Sequence, residues 1–290
     1  MIKSKYRLSS SAFEARLEGT EAPGKCIFIS VEGDDTERTY FENLRNHIRT
    51  LGSKTCINIE VLSHPRDGYS APNHVAKLLE EFMKLRDEGV LPQEIRSKLK
   101  LNFTENDLNK YLSNDVSLSE DLKHDIEAKA LEYGIDLHYR KYLKDYKEYD
   151  DDRFVVVIDK DRHHESVLRE CMDICNKNNY ELYLSNPCFE FWLLFHLCNV
   201  KERYKNQEEK IRENKHVNRN QTFVSKEVSN LAFHSKKIAY DCFCKNYWPN
   251  ILKAKERADE YATEVKDLLE NIGTNMGNFF DEDFKIYFKR

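Results

Sequence analysis

The sequence predicts an α/β fold with a mainly parallel sheet, a helical insertion and a helical C-terminal region. Three observations carry this. Short apolar runs rich in β-branched residues alternate with amphipathic stretches, as strands and helices do in such folds. The run Lys25–Val31 is almost wholly apolar rather than alternating, as expected of a strand covered on both faces. Glycine and proline are scarce, 9 and 6 in 290 residues, which leaves long uninterrupted stretches for helices.

The first two dozen residues, 1–24, are polar and basic and read as an N-terminal arm. Lys25-Cys-Ile-Phe-Ile-Ser-Val31 is the first strand. Glu32-Gly-Asp-Asp-Thr-Glu37 follows as a turn, with Thr36 as the expected N-cap of a helix carrying Tyr40, Phe41, Leu44 and Ile48. Cys56–Ser63 reads as a second strand, and Asn73–Leu85 as a helix with Val75, Leu78, Leu79 and Phe82 on one face. Residues 88–150 are charged and helical in pattern, with turn signals at Leu91-Pro92 and Ser113-Asn-Asp115; they read as an insertion with solvated faces. Arg153–Ile158 is the strongest strand signal, running into Asp159-Lys160-Asp161 and then a helix through Val167, Leu168, Cys171 and Cys175. Tyr180–Leu184 is a fourth strand. After it, Asn186 and Pro187 are expected to cap and open an apolar helix, Phe191–Leu197. The core therefore spans 25–200. The remainder, 201–290, shows helical patterns, notably over Ile251–Asn271.

Composition narrows the class. No apolar run approaches the roughly 20 residues of a membrane helix, and the N-terminus lacks the apolar segment of a secretory signal. A soluble, cytoplasmic protein is expected. The eight cysteines include no C-x-x-C pair, so neither disulfides nor zinc are expected, and Cys171 and Cys175 read as buried small hydrophobes. The net charge is −5, unevenly spread: residues 1–200 hold 28 basic and 36 acidic side chains, residues 201–290 hold 18 and 15. Within 201–245 the count is 11 to 6, a basic tilt on which a polyanion can rest or an ordinary helical surface.

The chemistry-bearing candidates lie at strand ends. Glu32 follows one buried strand; Asp159 and Asp161 follow another. In open parallel sheets the carboxyl ends of strands form the ligand crevice. An extended backbone would point Asp159 and Asp161 to the same side. Three carboxylates brought together repel one another unless a divalent cation neutralises them, and hard oxygen donors suit Mg²⁺, with Mn²⁺ an option. The expected chemistry is metal-dependent phosphodiester hydrolysis. The alternative for each carboxylate is a helix-capping or turn role. Glu37, one turn into its helix, and Glu190, alone among Phe189, Phe191, Trp192 and Leu193, extend the candidate catalytic set. His196 reads as a hydrogen-bonded core histidine. Lys160, Arg162, His163, Arg66 and Asn186 are candidate substrate contacts, with solvent exposure or a polar loop the alternative.

Val31-Glu32-Gly33 with Thr36-Glu37 and Tyr40-Phe41, Asp159-Lys160-Asp161, and Ser185-Asn-Pro-Cys-Phe-Glu-Phe-Trp-Leu-Leu194 together resemble the RloB family, a branch of the Toprim-fold proteins of bacterial and archaeal anti-phage systems. The resemblance covers about residues 20–200. It implies a Toprim-like, Rossmannoid core in which Glu32, Asp159 and Asp161 hold Mg²⁺. It also implies an abortive-infection nuclease, an RNase cutting tRNA, working beside an ABC-type or AAA ATPase. A DNA endonuclease and a non-catalytic scaffold that binds the ATPase are the alternatives; assembly into a homo-oligomer stays open. Asn271–Asn275 only faintly resembles the family's C-terminal Asn-Pro-Ser-Thr element and carries little weight.

Overall fold

A computed structural model describes residues 25–33, 35–51, 58–62, 71–87, 93–112, 115–133, 152–234, 237–281 and 283–288. Strands β1 (Cys26–Val31), β2 (Asn58–Leu62), β3 (Arg153–Asp159) and β4 (Glu181–Asn186) run parallel, and β5 (Gly273–Thr274) adds an antiparallel edge to β4. Their order is β2-β1-β3-β4-β5. The chain thus leaves β1 toward β2 and returns on the other side of β1 to form β3. That reversal opens a crevice at the carboxyl ends of β1 and β3.

Strand β1 and the middle of β3 are buried on both faces because their residues are almost all apolar in both parities. Ile27, Ile29, Val31, Val155 and Val157 face α1 (Thr36–Thr50), with Tyr40, Phe41 and Leu44 packed upon them. Phe28, Val156 and Ile158 face the other way, against α2 (Pro72–Asp87) and, beyond the insertion, a helix carrying Leu168 and Cys171. The described part of the insertion comprises α3 (Gln93–Leu99), α4 (Glu105–Leu112) and α5 (Glu120–Glu132). It is not merely solvated surface, because Leu99, Leu108 and Ile126 are buried in this second core. Helix α6 (Glu165–Asn178) then connects β3 to β4.

Helix α7 (Phe189–Leu197) is wholly apolar apart from Glu190 and His196, and it is buried on all sides. It is sandwiched between the sheet and a C-terminal cover. The cover consists of α8 (Val200–Arg203), α9 (Glu208–Glu213), α10 (Phe223–Ala232), α11 (Tyr240–Cys242) with a π-helical turn at Phe243–Tyr247, and α12 (Ile251–Ala258), followed by α13 (Val265–Leu268) and α14 (Lys285–Phe288). Val224, Val228, Phe243, Tyr247, Ile251, Ala254 and Phe284 join the same core as β1 and β3.

Three local expectations are corrected. Thr36 is the first residue of α1 rather than its cap; Asp35 precedes the helix without a side-chain capping bond. Asn186 and Pro187 do not cap and open α7. Asn186 remains in β4 because it pairs with Gly273 of β5, and α7 starts at Phe189. Ile251–Asn271 is not one helix. It breaks after Ala258 because Ala262 hydrogen-bonds Ile272 and Thr274, laying this segment against the new edge strand. Gly273 makes that approach possible, since a Cβ there would stand 2.0 Å from the Ala262 carbonyl oxygen. Among the described residues no helix is long and apolar enough to cross a membrane.

Candidate functional site

The carboxylates singled out at strand ends converge on the crevice between β1 and β3. Backbone pairing extends one residue beyond β1, with Glu32 N donating to Val157 O at 3.1 Å. That fixes where the Glu32 side chain leaves the sheet. Its Oε2 accepts from the Asp159 amide at 3.0 Å, and its Oε1 lies 2.7 Å from His163 Nε2. Hydrogen bonding to Glu32 raises the His163 pKa above its ordinary value, against the opposing effect of partial burial.

Helices α1 and α7 bring two further carboxylates by their first turns. Glu37 is only 6% exposed, and its carboxyl lies over Gly33, so close that a Cβ there would overlap it. Glu190 Oε1 accepts from Thr36 Oγ1 at 3.3 Å, joining the start of α7 to the start of α1. The two helix N-termini contribute favourable partial positive charge to this acidic pocket.

Mutual repulsion is the site's electrostatic signature. Burial, then the Glu190 and Glu32 charges, push Glu37 up to about 8, with the Glu37 and Gly33 backbone amides partly opposing. Asp159 is held well above the carboxylate range by burial first, then by Glu37, Glu32, Glu190 and Asp161. Its Oδ1 is buried with no hydrogen-bond partner. An orphaned carboxylate oxygen among other carboxylates is a costly arrangement in an isolated chain.

Asp161 arrives by a different route from the expected one. The strand ends at Asp159, and Asp161 adopts φ 30°, a left-handed conformation that Asp tolerates better than most residues. Its amide donates to Pro187 O at 2.9 Å, and the Lys160 amide to Ser185 O at 2.8 Å, so the loop is strapped to the end of β4. Asp161 is exposed at the rim, yet close enough to raise Asp159. Lys160 and Arg162 flank it; Arg162 is exposed, Lys160 half-buried, and among the described residues neither is paired.

Other candidates separate from the crevice. Asn186 is buried, and its Nδ2 donates to Leu268 O at 2.8 Å, tying β4 to α13. Arg66 and its loop lie outside the described residues. His196 is a core residue. Its Nδ1 faces Tyr247 O at 2.9 Å, and a carbonyl can only accept, so Nδ1 carries the proton and Nε2 accepts from Tyr40 Oη at 3.4 Å. Trp192 Nε1 in turn donates to Tyr40 Oη at 3.3 Å.

The weakly regarded 271–275 stretch proves to be integral. Thr274 Oγ1 and Ser185 Oγ lie 2.9 Å apart, and Asn275 accepts from Leu184 N at 2.7 Å while donating to Leu182 O at 2.9 Å. Ser185 is itself in register with Asp159, so this edge braces the strand that positions the Asp159–Asp161 loop. Its sequence signal was only a two-residue strand, too short for any periodicity.

The residues fit a hard divalent cation in donor chemistry: every carboxylate offers oxygen, and Asp159 holds an unused lone pair aimed into a crowded anionic pocket. Among the described residues, no group of three or more His, Cys, Asp or Glu side chains is already gathered as a ready-made metal site. Glu32 and Glu190 instead turn toward partners of their own.

No curated protein and no solved structure matches the chain. The family model described as RloB-like protein matches residues 27–282, which take in all of the sheet but Cys26, the candidate crevice and nearly all of the C-terminal cover, and the chain therefore belongs to the RloB-like family.

Proposed function

We propose that this protein is a divalent-cation-dependent nuclease. One observation carries the reading: half-buried Asp159 stands at the sheet's reversal point with a buried, unpartnered Oδ1, among Glu32, Glu37 and Glu190. A fold gains no stability from such crowding, whereas a cation site requires it. Glu32, Asp159 and Asp161 would hold Mg²⁺ or Mn²⁺, with Glu37 and Glu190 beside them. A bound cation supplies charge stabilisation at a phosphodiester.

The chain's own groups do the rest. Lys160 and Arg162, unpaired at the rim, bind substrate phosphate oxygens. His163 restrains the Glu32 carboxylate and faces the same opening. Glu37, driven toward its protonated form, holds a proton within the pocket until positive charge arrives. Membership of the RloB-like family supports the finer reading of an anti-phage RNase that cuts tRNA under the control of a partner ATPase.

The engagement of both Glu32 oxygens by Asp159 N and His163 favours a second reading, a scaffold whose acidic pocket never binds metal. One experiment separates the two. Wild type, Glu32→Gln and Asp159→Asn are incubated with total tRNA and with plasmid DNA in Mg²⁺, Mn²⁺ or EDTA, while calorimetry follows Mn²⁺ binding to each. Cation-dependent cleavage and Mn²⁺ binding, both lost in the variants, are expected. Cleavage of plasmid alone would redirect the reading to DNA. Absence of Mn²⁺ binding by wild type, together with silence on both substrates when the ATPase is added, would overturn it.

A further inference from the structure

Helix α10 ends in a way that its own physics disfavours. Phe233 caps it with φ 56° and ψ 39°, a left-handed conformation usually given to Gly or Asn, and an outlier for a bulky side chain. The same residue is 92% exposed. Among the described residues its ring stacks on no other ring. A strained backbone that holds a large aromatic out in water brings the fold no packing and no hydrogen bond through that side chain.

The backbone that carries the ring is nonetheless held in place. Phe233 N donates to Ser229 O at 3.0 Å, and the neighbouring His234 hydrogen-bonds Tyr247 of the buried core. Four residues on, the chain reaches the turn between β1 and α1 that borders the candidate site. Lys237 Nζ lies 3.6 Å from Asp35 Oδ1, just before α1, and Ile238 exchanges hydrogen bonds with α1: its amide donates to Thr39 Oγ1 at 3.0 Å and its carbonyl accepts from Asn43 Nδ2 at 2.7 Å. Four residues reach at most about 14 Å, so Phe233 stands within that distance of the residue beside Asp35. Lys226, Lys237 and Lys245 are exposed on the same basic stretch.

We infer that Phe233 is a stacking platform for an unpaired base of the nucleic-acid substrate whose phosphodiester enters the carboxylate crevice, an inference that rests on the nuclease reading above. Exposed aromatics among lysines, alongside a path for the backbone, are how single strands are held without sequence readout. A protein partner fits less well, because it needs a contiguous apolar patch. Among the described residues, the other exposed large apolar side chains, Leu101, Val116, Val217, Leu252 and Ile286, lie on other segments of the chain.

The test is binding rather than cleavage. Full-length wild type and its Phe233→Ala, Phe233→Leu and Phe233→Trp variants are titrated in EDTA against a fluorescein-labelled, mixed-sequence single-stranded RNA dodecamer, with thermal melts to verify folding. Alanine and leucine are expected to weaken binding about tenfold, and tryptophan to retain it. A Phe233→Gly variant, which relieves the backbone, is expected to bind as weakly as alanine while melting no lower than wild type. Wild-type affinity in Phe233→Ala, full affinity in Phe233→Leu, or no RNA binding by wild type overturns the inference; retention by leucine would point to an apolar protein partner. The two readings fail separately. Binding that depends on Phe233 without cleavage under any cation sinks the nuclease and leaves the platform, while unchanged affinity and cleavage in Phe233→Ala do the reverse.

Discussion

Single residues at the crevice show how far local chemistry departs from ordinary values, and each departure is measurable. Glu37 is buried against Glu190 and Glu32, so in EDTA at pH 8 its charge opposes folding. Glu37→Gln keeps the shape and removes the charge; it is expected to melt several degrees above wild type in differential scanning calorimetry while losing nuclease activity. Elevated stability with intact cleavage would remove Glu37 from the site. His196 reports the opposite sign. Burial depresses it to about 3, well below an unfolded histidine near 6.5, with the Tyr247 carbonyl partly opposing. A group depressed on folding contributes stability that is complete above the unfolded pKa and drains as pH falls toward the folded one. Urea unfolding is expected to show a loss of about 1.4 kcal/mol per pH unit below pH 6 from this histidine, and a His196→Phe variant should have the shallower slope. Equal slopes would mean that His196 opens to water before the protein unfolds. Glu32 and Asp159 stand out from sequence because each directly follows an apolar strand. Asp161 was placed on the right loop for the wrong reason, since its left-handed backbone is decided by the bonds to β4 and its loop rather than by strand periodicity.

At the scale of elements, the edge strand β5 is the least conspicuous and among the most consequential. Gly273 allows β5 to lie against Ala262, and Asn275 satisfies both a donor and an acceptor of β4. Gly273→Ala forces a backbone displacement rather than a side-chain adjustment, because the clash is with a carbonyl oxygen. A loss of about 2–3 kcal/mol is expected in chemical denaturation, and with it faster amide exchange at Leu184 and Ser185. Exchange unchanged at those amides would show that β4 stands without its edge. Strands β1 and β3 were legible because a run apolar in both parities has few alternatives at that length. The end of β4 was not. Asn-Pro reads locally as a helix start, and only pairing with a segment some 87 residues away keeps Asn186 in the sheet.

For the whole molecule, the question is whether the sheet and the C-terminal cover are separable. The core formed by Ile29, Val31, Val155 and Val157 continues without a break through Trp192 and Phe195 into Val228, Phe243, Ile251 and Phe284. Arg153 locks the opposite end of the sheet. It pairs with Glu181 through two bonds of 2.6 Å and with Asp283 at 2.8 Å, and its guanidinium lies 5.0 Å from the Phe279 ring centre. A chain ending at residue 200 would expose α7 along its length, and it is expected to be insoluble or to bind a hydrophobic dye with no cooperative melt. A cooperatively folding fragment 1–200 would show that the cover is a separate unit. The basic surplus of 201–245 therefore belongs to a segment packed on the sheet, and its Lys237 reaches Asp35 in the turn between β1 and α1.

By itself the sequence determined the class of fold, the four parallel strands, the turn-borne carboxylates and the family resemblance, because these follow from local periodicity and from residues adjacent to strand ends. The tertiary structure alone decided which helices share a face, that the 271–275 stretch completes the sheet, and that His196 is sealed into a Trp192–Tyr40 network. The physical reason is common to all three. Each depends on contacts between residues far apart in the chain, and long-range contacts override local propensity wherever burial and backbone pairing outweigh it.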